Sequence, residues 1–309
     1  REWQDPLGFV MLGIGAIATV ALPILMVRRR DPLIPPELFR SRNFTVTNIS
    51  TFLIYGALYV TGYYVTLFVQ GTVGFTAAAA GLAFIPSGLF LVFLSSRFGA
   101  LAATYGPRAF MSVGPAIMAL GILWYARVPA TTSPWRFAFD DPGTWLPPSS
   151  FFIDFLPGQL LFGLGLSMLV APLTTALMTS VPSLHSGVAS AINNAISRVG
   201  PQLAGAVIFI AITASFYAGL HDRVPAVNVD DPVIRQRIAP LNVQRPSENQ
   251  SVPPSAARLL EAQRDASADA FHLAMLISAG LLFAGAAVNA LGIENRPAPM
   301  PAEAAKVAA

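Results

Sequence analysis

Seven long apolar runs, at residues 7–27, 44–68, 77–94, 110–126, 155–178, 189–217 and 271–293, decide what this chain can become. An α-helix of about 20 apolar residues crosses a bilayer core, and each run meets or nearly meets that length. The pattern predicts seven transmembrane helices and an all-α integral membrane protein, multi-pass in the lipid bilayer. Hydrophobic residues make up 54% of the chain and charged residues 11%, a balance that a soluble domain of this length does not carry on its surface.

The basic residues give a direction. Arg28, Arg29, Arg30, Arg40 and Arg42 separate the first two runs, Arg97 and Arg108 lie between the third and fourth, and Arg296 and Lys306 follow the last. The short connections on the other side hold only Arg1, Arg127 and Arg136. This bias places the first group, and with it the C-terminus, in the cytoplasm. The long connection at 218–269 is then an outer loop, and residues 253–271 within it read as a helix capped by Ser255 that leads into the last run. The stretch before that helix reads as irregular. Around Asp140 and Asp141 the chain reads as a turn, and the tryptophans and phenylalanines near them as residents of the outer interface. The expected organisation is a transmembrane linker helix with a basic cytoplasmic loop at 1–43, a six-helix bundle at 44–293 and a disordered cytoplasmic tail at 294–309.

Several function classes drop out. A net charge of +3, dispersed along the chain, does not suit nucleic acid. Without cysteine there is no disulfide framework or thiolate site, and three scattered histidines form no ligand cluster, so no metal or other cofactor is expected. No grouping of Asp, Glu and His near a membrane face suits a general base, so no catalytic residues are assigned and an integral membrane enzyme is the weaker reading. The chain begins at Arg1 without an initiator methionine or a signal-peptide pattern and reads as a piece of a longer protein.

Three features carry chemistry. The first is Arg198, the only full charge inside the middle of an apolar run, with Asn194 and Gln202 one turn to either side. A guanidinium in hydrocarbon costs from about 2.5 to more than 10 kcal/mol, so it faces protein or a water-filled cavity. Gly200, Pro201, Ala204 and Gly205 follow it, removing bulk at four-residue spacing and one backbone donor, which predicts tight packing and a bend. Pro23, Pro86, Pro115 and Pro172 interrupt four other runs in the same way. For Arg198 two readings stand: a structural charge pairing with carbonyls near Asn193 and Asn194, or a cavity charge used in coupling.

The second feature is a stripe on the second run. Asn48, Thr51, Tyr55, Tyr59, Gly62, Thr66 and Gln70 recur at gaps of three and four and so share one helix face. That face is either a packed interface held by small polar groups or the wall of a substrate cavity. Asp154 and Asp269 read as helix-start carboxylates that offset the helix dipole. His272 reads as a polar anchor at the interface, with a proton carrier as the lesser alternative.

The third feature is Gly99, Leu101, Gly106 and Arg108 between the third and fourth runs. This spacing resembles the loop signature of the major facilitator superfamily, G-x-L-a-D-r-x-G-r-r, with Ala103 where the family has its acid and Thr104 where a basic residue is common. Gly200-Pro201 through Gly205 is similar to the end of that superfamily's antiporter signature, with Ile196 in place of its upstream glycine. Both fall where six helices after one extra helix would put them. DPLIPPELFRSRNF, GQLLFGLGLSMLVAPL and SGVASAINNAISRVGPQLAG are similar to segments of the fourteen-helix drug:proton antiporters, multidrug exporters of that superfamily.

The resemblance implies the C-terminal six-helix bundle of such a transporter plus one preceding linker helix, in a bacterial inner membrane. It implies export of hydrophobic or amphipathic small molecules in exchange for protons, by alternating access with an N-terminal six-helix half that is absent here. Asn48, Thr51, Tyr55, Tyr59, Thr66 and Gln70 would line the substrate cavity. Arg198, Gln202 and Asn194 would supply polar contact or coupling. Gly99, Leu101, Gly106, Arg108, Gly200, Pro201 and Gly205 would serve conformational change. A membrane partner or sensor that keeps the fold without transporting is the alternative.

Overall fold

A computed structural model describes residues 6–28, 34–243 and 253–295. The described chain is mainly helical, without a named strand: α1 (Pro6–Arg28), α2 (Arg42–Phe68), α3 (Ala77–Ala83), α4 (Ile85–Tyr105), α5 (Pro107–Tyr125), α6 (Ser149–Asp154), α7 (Leu156–Thr179), α8 (Ser186–Arg223), α9 (Pro232–Arg237) and α10 (Pro254–Gly292). Six helical stretches are long and apolar enough to cross a membrane, those of α2, α3 with α4, α5, α7, α8 and α10. Six rather than seven pass that test. The seventh expected span is α1, a 23-residue helix whose residues Leu7, Met11, Ile14 and Ile17 are exposed. Arg29, Arg30, residues 244–252 and the tail from Arg296 lie outside the described residues.

The bundle is two interlocked groups of three. In one, α7 packs between α4 and α5; in the other α2, α8 and α10 pack on one another, and α5 against α10 joins the two. The closest contact is α5 on α7, and the sequence explains it. Gly114 and Gly121 of α5 face Gly165 and Gly158 of α7, each pair seven residues apart. A methyl on Gly121 would stand 2.7 Å from the Gly158 carbonyl, and one on Gly114 2.8 Å from the Gly165 carbonyl. Only hydrogen fits there, so the two backbones touch. Stacked Phe68 and Phe271, with ring centroids 4.0 Å apart, fill the core between α2 and α10.

Several expectations are corrected. The third run does not end at 94: Phe84, before Pro86, breaks it into α3 and α4, and α4 continues to Tyr105. Most of the Gly99 to Arg108 signature is therefore helix rather than loop, and Arg97 lies about two turns inside α4. The last run is the end of a 39-residue helix starting at Pro254, with Pro253 rather than Ser255 at its cap. Asp269 thus sits inside α10 instead of opening a helix, and pairs with Arg223 of α8 at 2.6 Å. Asp154 closes the short α6 and accepts a hydrogen bond from the Thr132 hydroxyl at 2.8 Å. At about 57 Å and 58 Å, α8 and α10 outreach a 30 Å hydrocarbon core and continue as an antiparallel pair beyond it.

The two ends of the bundle differ. At the basic end, the last carbonyls of α10 have lost their intrahelical partners. Arg42 supplies them, its Nε donating to Gly292 O and its Nη2 to Leu291 O, both at 2.9 Å, while its Nη1 pairs with Glu294 at 3.0 Å. Arg108 Nε donates to Ala290 O at 2.7 Å. At the opposite end, residues 127–148 fold onto the bundle. Trp135 is buried against Phe75 and Phe151 there, which corrects its placement at an interface, whereas Trp145 and Phe139 are exposed. Asp141 turns the chain by accepting from Gly143 N, and His272 Nε2 meets Val128 O at 2.8 Å. Over residues 224–243 the connection after α8 holds α9 and a turn in which buried Leu241 takes a positive φ of 61°.

Candidate functional site

The stripe on α2 divides into two. Near the basic end, Asn48 and Thr51 are buried under α8: Asn193 Nδ2 donates to Asn48 Oδ1 at 3.2 Å and to Thr51 Oγ1 at 3.0 Å. One turn on, α2 and α8 reach backbone contact, because a methyl on Gly200 would lie 2.6 Å from Phe52 O and one on Gly56 3.2 Å from Ala204 Cβ. This half of the stripe is helix packing. Tyr55 is half-buried with its ring 6.2 Å from that of Tyr59. Beyond it the stripe emerges: Tyr59 is 52% exposed and Gln70 is exposed, with half-buried Thr66 bonded back to Gly62 O at 2.8 Å.

Tyr63 extends this emergent face and is 63% exposed. Sequence reasoning missed it, although it stands four residues from Tyr59 and so on the same side. Gln70 lies in a π-helical turn, Val69–Val73, that ends at Gly74 with φ 90°. A π-turn redirects side chains within an otherwise regular helix. What results is an open aromatic and amide surface, able to stack on and hydrogen-bond an amphipathic molecule without demanding one shape.

Asn194, Arg198 and Gln202 form a second polar face on α8, and all three are exposed. Gly200 presses on α2, and Arg198 is two residues away, about 200° round the helix, so its side chain points off the bundle. Among the described residues, Arg198 has neither an ion pair nor a hydrogen bond. Asn193, not Asn194 or Arg198, makes the contact to α2. Gly205 has looser surroundings than Gly200, the nearest atom to an added methyl being Val60 Cγ2 at 3.7 Å. The α8 backbone remains helical through half-buried Pro201.

The signature at the junction of α4 and α5 has divided duties. Gly99 lets α4 approach Ala171 of α7, with 3.0 Å to an added methyl. Gly106 joins the two helices at φ 92°, a left-handed region that favours glycine. It lies against Asn295, whose Oδ1 accepts from Arg108 N at 3.2 Å. Leu101 is exposed. Among the described residues, no group of three or more His, Cys, Asp or Glu comes together as a metal site.

No family model matches the chain. Among curated proteins it is similar to the puromycin resistance protein pur8 of Streptomyces alboniger, 27% identical over 238 residues, which is 75% of this chain and 44% of that protein. The multidrug resistance protein Stp of Mycobacterium tuberculosis is 28% identical over 241 residues, covering 77% of this chain and 40% of Stp. An uncharacterized MFS-type transporter of Bacillus subtilis, YhcA, is 24% identical over 209 residues, 67% of this chain and 35% of YhcA. The chain thus spans about 35–44% of the length of these relatives.

Proposed function

We propose that this chain, whose curated homologues are major facilitator transporters and drug export proteins, is the C-terminal bundle of a secondary transporter exporting hydrophobic or amphipathic small molecules. Alternating access against an N-terminal six-helix half, with protons moving inward, is the mechanism that fits it. The chain holds no carboxylate deep in an apolar span, so proton binding belongs to that other half. The bundle lies in a bacterial inner membrane with its basic end in the cytoplasm.

One observation carries the reading. The two least buried spans, those of α4 and α8, each expose an arginine, Arg97 and Arg198, with no partner among the described residues. The face of Arg198, inside its apolar run, does not suit lipid, and a second bundle closing over α4 and α8 would cover both charges. Tyr59, Tyr63 and Gln70 then meet substrate, while Arg198 and Gln202 meet the opposing half. The packed contact at Gly200 lets α8 tilt on α2 without losing register, and the Arg42 and Arg108 clamps keep the end of α10 fixed while it does.

The test is efflux of a panel of lipophilic dyes from cells expressing the natural reading frame that contains this chain, with and without a protonophore. The expected result is dye efflux that the protonophore abolishes. Efflux insensitive to the protonophore removes the proton coupling, and no efflux of any dye removes the transport reading.

A further inference from the structure

Beyond the polar faces of α2 and α8, a further concave surface among the described residues combines an apolar wall with charge. A groove of about 570 Å³ runs between the far end of α8 and the α9 segment, lined by Phe209, Ile210, Tyr217, His221, Asp230 and Arg235 among others. Its chemistry is graded along the helix. Phe209 and Ile210, both exposed, lie within the apolar span, and Ala214 and Ala218 keep the wall shallow above them. His221 stands about 16 Å further along the axis than Ile210, where the span meets water.

The charged rim is built rather than incidental. Arg235 Nε donates to Val229 O at 2.7 Å and Nη2 to Asp230 at 2.8 Å, while the guanidinium lies over the Tyr217 ring, 4.8 Å from its centroid. The Tyr217 hydroxyl in turn donates to Ile238 O at 2.9 Å. Together these hold α9 over α8 and fix one cation and one carboxylate at the mouth. The Asp230 side chain is still 83% exposed, and His221 makes no hydrogen bond among the described residues.

Ile210 and Tyr217 lie about 100–120° round α8 from Arg198, whereas Phe209 lies within about 20° of it and forms the groove's edge toward that face. If the Arg198 face is the one another half covers, the groove opens sideways into lipid. That clause is all the argument takes from the transport reading. An occupant must then place an acyl chain on Ile210 along the shallow Ala214–Ala218 wall and a head at the rim that carries both an anion, for Arg235 and His221, and a hydrogen-bonding cation, for Asp230.

We propose that this groove binds one phospholipid whose head joins a phosphate to a primary ammonium. The phosphate accepts from Arg235 and His221, and the ammonium donates to Asp230. A phosphatidylglycerol head offers no cation to Asp230, and a choline head has no N–H to give it.

The test uses the full-length protein, delipidated in detergent and returned to nanodiscs of phosphatidylcholine doped with phosphatidylethanolamine or phosphatidylglycerol. Lipid retained after extraction is counted by native mass spectrometry. One phosphatidylethanolamine per protein is expected, retained about tenfold over either other lipid. Ala214→Trp, which fills the groove and leaves the Arg235 contacts in place, is expected to abolish retention with an unchanged melting temperature. Asp230→Asn is expected to erase the preference over phosphatidylglycerol. Equal retention of all three lipids, or retention unaffected by Ala214→Trp, overturns the proposal. So does displacement by millimolar inorganic phosphate, which would mark an anion site without a lipid tail. These readouts are independent of dye efflux, so either account can fail alone.

Discussion

The α5–α7 seam and the α2–α8 seam are both made by glycine, yet they do different things. Between α5 and α7 four glycines, paired a heptad apart, bring the backbones together over about two turns of each helix, with the buried Tyr125 ring closing the line against Gly158. Between α2 and α8 the contact is brief, one crossing at Gly56 and Gly200 preceded by the Asn193 hydrogen bonds, after which the α2 stripe comes to the surface. A long smooth contact locks two helices as one body. In the proposed transport cycle a short one serves as a pivot, and the exposed polar groups beyond it would be what it covers and uncovers.

The comparison breaks first at its strongest point. Gly165→Val drives its added carbons into the Gly114 carbonyl and Met118 of α5, and overpacking of that kind costs about 3 kcal/mol. The expected outcome is loss of the monodisperse species in fluorescence size-exclusion. A folded Gly165→Val protein of normal melting temperature would deny that this seam is rigid. Gly200→Ala also meets backbone, Phe52 O at 2.6 Å, but at one crossing that can shift. It is expected to cost about 1–2 kcal/mol in a thermal melt and to slow efflux more than that loss explains.

Asn193→Ala removes two hydrogen bonds within the membrane, worth about 0.6 kcal/mol each, so a loss near 1 kcal/mol is expected. A loss well above 2 kcal/mol would mean that the polar bonds, not the glycine crossing, hold α8 to α2. The smallest stability change belongs to Tyr63→Phe, whose hydroxyl has no partner among the described residues and whose side chain is exposed. Its melting temperature should not move. Its dye profile should, and an unchanged profile for every dye would take Tyr63 off the substrate wall.

The spans were legible in the sequence because apolar length is a local quantity. The runs at 44–68 and 155–178 match α2 and α7 to within a few residues. Helix ends were harder. The extension of α4 past residue 94 runs through small residues that are helical because α7 lies beside them, whereas the helix read at 253–271 is present and joins the last run without a break as α10. The period of the α2 stripe put its residues on one face correctly, but period alone does not say what covers a face. Asn48 and Thr51 went under α8 and Tyr59 did not, because α8 crosses α2 only once. The Arg42 clamp on α10 joins residues 250 apart and left no local signal at all.

The most direct test of the account is dye efflux by Arg198→Lys and Arg198→Ala in the full-length protein, at matched expression and melting temperature. Arg198 points off the bundle without a partner among the described residues, so neither change should disturb the fold. Near wild-type efflux for Arg198→Lys and at least a tenfold loss for Arg198→Ala is the predicted result, since the face needs a charge rather than a particular hydrogen-bond geometry. Wild-type efflux from both variants would contradict it and leave Arg198 a surface charge without a role in transport.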